Sequence, residues 1–464
     1  MEAGTNKGIN WTALFAMGAA VFVIANDFSA INVALPTMEG DFHTNINTIQ
    51  WVVNAYALTF GVLIVTGGRL ADMFGRRISF FLGAGIFAVM SAAGGAAPTE
   101  TWLIATRALM GIGGALMWPA ILGMTYAILP EDKAGLAGGI IIGAAGLGNA
   151  AGPLIGGILT DLASWRWIFF LNVPIAAFAV AVVWSSVHLT EPEDSDHQID
   201  YAGITAISLG LVSLLIALDQ VDDWGWGDPR VIAMLAIAAI GVGAFLPLER
   251  RAGRHALIPR DVISNRDFAG SCVAILCMSV TFFAALLYLP QFMETELGFS
   301  PLEAGLGMLP ALATFALVSF VAGPLYTRLG AKRLAVIGAA CMTAAAFLFS
   351  LVGENAGYGA LVPGMVVLGV GIGTFYPTAT TAGVTSVDES RSSLAGGIVY
   401  MFQICGGSIG LGLTTTIFSG AIPPFIDGFQ AGFRLDAGIA LVGLAVSVLF
   451  VGGSLLARRA EATT

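Results

Sequence analysis

The sequence predicts an all-α integral membrane protein of the two-bundle kind: two six-helix bundles with two extra helices between them, fourteen transmembrane helices in all. Three observations carry that expectation: a composition too apolar for a soluble surface, fourteen apolar windows of spanning length, and an internal repeat pairing the first six windows with the last six.

Of 464 residues, 57% are hydrophobic and only 11% charged, with a mean hydropathy of +0.85. Soluble domains carry roughly 25% charged residues, so this chain cannot cover a water-facing surface of its size. The net charge of −10, from 20 basic and 30 acidic residues, argues against a nucleic-acid partner, because phosphate contacts need basic surface. Cys272, Cys277, Cys341 and Cys405 sit in apolar runs without metal-ligand spacing and read as small core residues. No metal site is expected.

A spanning helix needs ~20 mostly apolar residues. Windows of that kind fall at 12–36, 46–67, 78–97, 101–128, 135–160, 167–187 and 201–219, then at 231–248, 268–291, 303–326, 334–352, 358–386, 393–420 and 434–456. The first window, preceded by a single Lys and lacking a small-residue cleavage site, reads as a retained helix and not a leader. A membrane barrel needs alternating ten-residue segments, and the chain has none. Abundant glycine (60 residues) suits close helix packing in lipid.

The positive-inside rule tests the number of spans. With the N-terminus inside, sixteen Lys and Arg fall on the cytoplasmic side, only Arg166, Arg230 and Arg434 fall outside, and Arg107 lies within a span. One span added or missed would destroy that asymmetry. Both termini and the connectors 188–200 (acidic) and 249–267 (Arg-rich) are therefore expected to be cytoplasmic, in a multi-pass protein of the cytoplasmic (inner) cell membrane.

The repeat is read from two pairs of segments. Gly111-Ile-Gly113, Trp118-Pro119, Glu131 and Leu136-Ala-Gly-Gly-Ile140 recur without gaps as Gly369-Val-Gly371, Tyr376-Pro377, Glu389 and Leu394-Ala-Gly-Gly-Ile398. Gly68-Arg-Leu-Ala-Asp-Met-Phe-Gly75-Arg-Arg77 recurs as Gly323-Pro-Leu-Tyr-Thr-Arg-Leu-Gly330-Ala-Lys332. The expected division is thus residues 1–187, an insert at 188–267 carrying windows 7 and 8, and residues 268–464. Parallel six-helix halves with a site between them are a transporter architecture.

Five motifs resemble the major facilitator superfamily, and within it the fourteen-span drug:proton antiporters, over essentially the whole chain. Asn26-Asp27-Phe-Ser-Ala-Ile-Asn32-Val-Ala-Leu-Pro36 and Ile49-Gln-Trp-Val-Val-Asn-Ala-Tyr56 are similar to the openings of its first two helices. Gly68 to Arg77 resembles the cytoplasmic loop motif, and Leu103 to Gly114, centred on Arg107, the fourth-helix motif. Gly148-Asn-Ala-Ala-Gly152-Pro153-Leu-Ile-Gly156-Gly157 resembles the antiporter motif of the fifth helix. One departure stands out: Phe28 and Ser29 follow Asp27 where the family usually has Thr. The resemblance implies that Arg107 tunes proton exchange and that Asp72 meets the helix N-terminus near Ser392, as a latch between the halves.

Asp27 reads as the one acid deep in a span, a costly placement that calls for a use, and Arg107 as the one buried cation. Counted at 1.5 Å per residue, both lie in the outer half of their helices and are candidates to pair for proton coupling. Gly68 and Gly75 permit a tight turn, Arg69, Arg76 and Arg77 hold the loop inside, and Asp72 suits a helix N-terminus, completing a conformational latch. Gly148, Gly152, Gly156 and Gly157, four-spaced small residues beside the helix-breaking Pro153, are expected to seal or bend the interface between the halves. Substrate-contact candidates are Asn26, Trp118, Asn149, Tyr288, Gln291, Tyr376, Tyr400 and Gln403. His43, His188, His197 and His255 all fall in loops, which argues against a histidine relay.

No P-loop for ATP and no nucleophile–base or metal constellation is present, so neither catalytic residues nor a cofactor is expected; the energy source is a proton gradient. The expected activity is proton-coupled antiport, exporting hydrophobic or amphipathic drugs or similar compounds by alternating access. A dedicated exporter of one endogenous metabolite, antibiotic or lipid is the alternative, and a non-transporting scaffold or sensor, which would need an output domain, a further one. The expected partners are the small substrate, protons and membrane lipids, and the protein is expected to be a monomer.

Overall fold

The computed structural model describes residues 9–130, 133–187, 199–253, 256–354, 356–420 and 425–452. Most of the acidic connector, Arg254, the histidines at 188, 197 and 255, and the basic residues Lys7, Arg458 and Arg459 lie outside the described residues. Among the described residues, fourteen helices are long and apolar enough to cross a membrane. We number them α1 (Trp11–Phe42), α2 (Trp51–Phe74), α3 (Arg76–Gly95), α4 (Glu100–Ile128), α5 (Ala134–Leu162), α6 (Arg166–Ser186), α7 (Tyr201–Trp224), α8 (Pro229–Ala252), α9 (Arg266–Thr295), α10 (Leu309–Leu329), α11 (Ala331–Phe349), α12 (Tyr358–Val384), α13 (Ser392–Gly420) and α14 (Phe425–Phe450). No strand occurs among the described residues.

Local chemistry sets the ends. Asn10 opens α1 by accepting the Ala13 N–H, Thr99 opens α4, and Asn265 opens α9 by accepting from Asp267 and Phe268. Ser300 and Glu303 form a reciprocal capping box on the short Pro301–Gly307 turn before α10. Gly75 (φ +107°) and Gly330 (φ +81°) make the abrupt turns into α3 and α11, in a region that a side chain would strain.

Two windows shift. The second divides into a short Ile46–Ile49 helix and α2, which runs on through Arg69 and Asp72. The last begins at Phe425, not 434, because Asp427, Arg434 and Asp436 depress the hydropathy of its first three turns. That second shift places Asp436 well inside a span, correcting the reading of Asp27 as the one deep acid.

Within the first six helices α1 packs on α5 and α6, and α4 on α2 and α3; the last six repeat this with α9 on α13 and α14, and α12 on α10 and α11. The two sets meet through α5 with α10 and α12, and through α13 with α2 and α4. The α7–α8 hairpin leans on α13 and α2. Exposed Ile232, Ile237, Ile240 and Leu246 on α8 give it the apolar outer surface that a lipid-facing helix carries. The α2–α3 and α10–α11 turns lie at one end of the molecule, here called the basic end.

Candidate functional site

Asp27 and Arg107 face one another. Arg107 Nη1 donates to Asp27 Oδ2 at 2.5 Å, and both side chains are 0% exposed. Arg107 Nε donates to the Val52 carbonyl at 2.8 Å, and its guanidinium lies 4.3 Å from the Tyr56 ring centre. Asp27 Oδ1 accepts from Asn172 Nδ2 at 2.7 Å, and that amide also donates to Ser91 Oγ, which donates to the Phe169 carbonyl. Five helices, α1, α2, α3, α4 and α6, thus build the surroundings of this one ion pair. Further hydrogen bonds offset the cost of burying such a pair; Asn172 and the Val52 carbonyl supply two of them, while Arg107 Nη2 is buried without a partner.

The pair sits behind a cavity of about 290 Å³ between the two bundles. Nine aromatic residues line it (Phe28, Tyr56, Phe60, Trp118, Phe282, Phe283, Phe315, Tyr376 and Tyr400), with Asn54, Asn149, Gln403 and Ser408 as polar groups and no charged side chain. Tyr56 belongs both to this wall and to the cover over Arg107. Trp118 and Tyr400 pack at 4.5 Å between ring centres, one from each bundle. Asn54, Ala57, Ile404, Ser408 and Leu411 also line a second groove, walled by Leu215, Leu218 and Asp219 of α7. The cavity therefore leads sideways between α2 and α13 towards the insert.

Of the eight substrate-contact candidates, the structure brings Trp118, Asn149, Tyr376, Tyr400 and Gln403 to this wall. The other three lie elsewhere. Asn26 is buried inside the first bundle, Tyr288 bonds Thr415 within the second, and Gln291 is exposed near the end of α9.

At the basic end the bundles are joined. Asp72 accepts from the backbone N–H groups of Ser393 (3.2 Å) and Leu394 (2.7 Å), in the first turn of α13, where the helix dipole favours an anion. Arg76 holds Asp72 at 3.3 Å and donates to the carbonyls of Gly123 and Glu389. Gly68 is required here: a Cβ on it would lie 2.6 Å from the Ser393 carbonyl. The repeat reproduces the contact without the acid, for Gly323 meets Gly135 and Leu136 across the other seam, and Thr327 stands where the first copy has Asp72. Arg77 donates to the Trp184 carbonyl, and Arg69 lines a crevice with Ile199, Asp200 and Leu257.

The α5 motif divides by face. Gly148, Gly152 and Gly156 abut α1 of their own bundle; a Cβ on Gly156 would lie 2.4 Å from the Ala30 carbonyl. Those three do not form the interface between halves, because their spacing turns them all to α1. Gly157 and Pro153 do face the other bundle, at Leu302 and Gly305.

Sequence reasoning missed Asn172 and Ser91, although an amide after Phe169-Phe170-Leu171 in an apolar helix was a readable signal. It also missed the phenylalanines of the wall, which look like any membrane residue in the sequence. Among the described residues no group of three or more His, Cys, Asp or Glu could hold a metal, and the four cysteines are free.

A two-bundle helical membrane protein with a central aromatic cavity and a joint at one end is the class defined by these features. The sequence model of the Major Facilitator Superfamily matches residues 17–410 and 271–463, and the chain belongs to that family. It is 31% identical over 87% of its length to the tetracenomycin C resistance and export protein of Streptomyces glaucescens, of which the match covers 75%. It is 30% identical over 96% of its length to a puromycin resistance protein of Streptomyces alboniger, covering 89% of it. A multidrug resistance protein of Mycobacterium tuberculosis is 31% identical over 88% of this chain and 75% of its own. The human organic anion transporter MFSD10 (TETRAN) shares the fold, with a TM-score of 0.69 at 14% identity over 95% of this chain and 100% of that one.

Proposed function

We propose that this protein exports hydrophobic or amphipathic compounds across the cytoplasmic membrane in exchange for protons, by alternating access. The observation that carries the reading is the placement of a fully buried Asp27–Arg107 pair directly behind an uncharged aromatic cavity. Such a wall suits apolar and cationic aromatic compounds alike. The resistance and export names of the relatives favour drugs or antibiotics as the cargo.

With the basic end cytoplasmic, as the Lys and Arg distribution favours, the Asp72 joint closes the cytoplasmic side and the cavity faces outward. A proton from outside adds to an Asp27 oxygen and ends its ion pair. Arg107, still over the Tyr56 ring, then alters the cavity wall and weakens substrate binding. After the latch opens inward, the proton leaves Asp27 for cytoplasmic water, and the pair reforms as new substrate enters. Each proton entering across ~100 mV yields ~2.3 kcal/mol, enough for a roughly fifty-fold gradient. The protein works as a monomer, without a cofactor and without covalent catalysis.

Proteoliposomes with an imposed pH gradient and a panel of cationic, neutral and anionic aromatic compounds test this reading. Uphill movement of several compounds supports it. Movement of one compound alone favours a dedicated exporter, and no gradient-driven movement of any of them refutes it.

A further inference from the structure

Asp436 is a second deep acid, and the site described above makes no use of it. It lies eleven residues into α14, ~16 Å along the helix from its start, and is 0% exposed. Thr414 Oγ1 donates to its Oδ1 at 2.9 Å, while its Oδ2 is buried without a partner. No lysine or arginine among the described residues pairs with it. The elements packed on α14 are α9, α11 and α13. Their charged residues stand at the helix ends: Arg266 and Asp267 open α9, Glu294 closes it, and Lys332 and Arg333 open α11. Lys332 reaches the Leu449 carbonyl, thirteen residues and ~20 Å down α14 from Asp436. On α14 itself, Asp427 lies more than two turns away and Arg434 bonds Gln430. Between those ends α9, α11 and α13 carry only weak acids, namely Cys272, Cys277, Cys341, Cys405 and two tyrosines, Tyr288 and Tyr400.

The repeat gives this position a meaning. The buried stripe Ile168, Phe169, Asn172, Ala176, Ala179 and Val183 of α6 returns as Gly432, Phe433, Asp436, Ala440, Gly443 and Ser447 of α14. Asp436 therefore stands where the first bundle has Asn172, the amide that holds Asp27. Pro36 and Pro290 set the register of α1 on α9 and put buried Thr281, whose hydroxyl has no partner, at the place of Asp27. Pro119 and Pro377 likewise put buried Met365 at the place of Arg107. In the second bundle the acid has moved from the first helix to the sixth and its arginine is gone. An ionised carboxylate at membrane depth without a cation is strongly disfavoured, and a proton is the smallest ligand that neutralises it.

We propose that Asp436 is a second proton-binding site. Its carboxyl holds a proton on Oδ2 in the conformation seen here and gives that proton to water when the halves change their contacts. The Thr414 hydroxyl stays on Oδ1 and stabilises the carboxylate that remains. Thr414 lies on α13, the helix whose first turn is held by Asp72, so one element links the latch to this carboxyl. The proposal extends the proton-driven reading to the second bundle.

Infrared difference spectroscopy on the purified full chain, in light and heavy water and without any transported compound, tests it. A protonated-carboxyl band is expected in the wild type, absent in Asp436→Asn and retained at a shifted frequency in Asp436→Glu. Breaking the latch with Asp72→Asn should let that band titrate with bulk pH and exchange with deuterium faster than in the wild type. A spectrum unchanged by both Asp436 variants overturns the proposal, as does a band that neither titrates nor exchanges faster in Asp72→Asn. Should Asp436→Asn not fold, Asp436→Glu carries the assignment by its frequency shift. Failure of gradient-driven transport in liposomes refutes the export reading but leaves these spectra as they are, so the two can fail separately.

Discussion

Arg107 reaches Asp27 across 2.5 Å in a pocket from which both side chains are wholly withdrawn, and Asn172 holds the other carboxylate oxygen. Removing one member of such a pair leaves an uncompensated buried charge, a penalty of about 3–5 kcal/mol. The two residues should therefore be energetically coupled.

Arg107→Met alone should lower the melting temperature of the detergent-purified protein markedly. The double variant Arg107→Met with Asp27→Asn, carrying no buried charge there, should recover most of the loss. Additive single effects in this double-mutant cycle would contradict the coupling.

Asp72→Asn should open the basic end. It removes a charged acceptor from two backbone N–H groups of α13, where each such bond contributes about 1.5–3 kcal/mol. A cysteine at Thr381, buried and bonded to Tyr126 across the seam, should gain reactivity towards a maleimide in this background. Unchanged labelling would mean that the bundles are held together by packing alone.

Gly156 and Gly157 should differ although they are neighbours. An added methyl at Gly156 meets the Ala30 carbonyl at 2.4 Å, whereas at Gly157 the nearest atom is the Leu302 methyl at 3.3 Å, the end of a flexible side chain. Gly156→Ala should sharply cut the yield of folded protein and Gly157→Ala should not. Comparison of monodisperse protein by size-exclusion chromatography decides the matter.

The orientation drawn from the basic residues predicts that cysteines at Ser195, Arg254 and Thr464, all outside the described residues, resist an impermeant reagent in intact cells and react after lysis. Labelling of any of them from outside would overturn that orientation.

Most of the helical architecture was legible because lipid imposes a coarse rule, ~20 apolar residues per crossing, that survives without knowing any contact. The Asp27–Arg107 pair was legible for a related reason, since ions at matching depth in apolar helices have few other partners. The face of each α5 glycine was not, because a period of four fits any neighbour; only the structure shows Gly148 against Phe22 and Gly157 against Leu302. Asp436 was hidden by the same hydropathy rule that revealed the helices, as its own charge pushed the apparent start of α14 past the two turns before it. The aromatic wall was half legible: Trp118 and Tyr400 carry polar edges that mark them out, while Phe282 and Phe315 carry none.

Whether Asp27 couples proton entry to export is decided by one transport measurement. Wild type and Asp27→Asn, reconstituted in liposomes, are compared for uphill movement under an imposed pH gradient and for exchange of the same compound at equal concentrations without one. Asp27→Asn should lose gradient-driven accumulation by at least tenfold while equilibrium exchange is at least partly retained. Gradient-driven accumulation at the wild-type level in Asp27→Asn would contradict it.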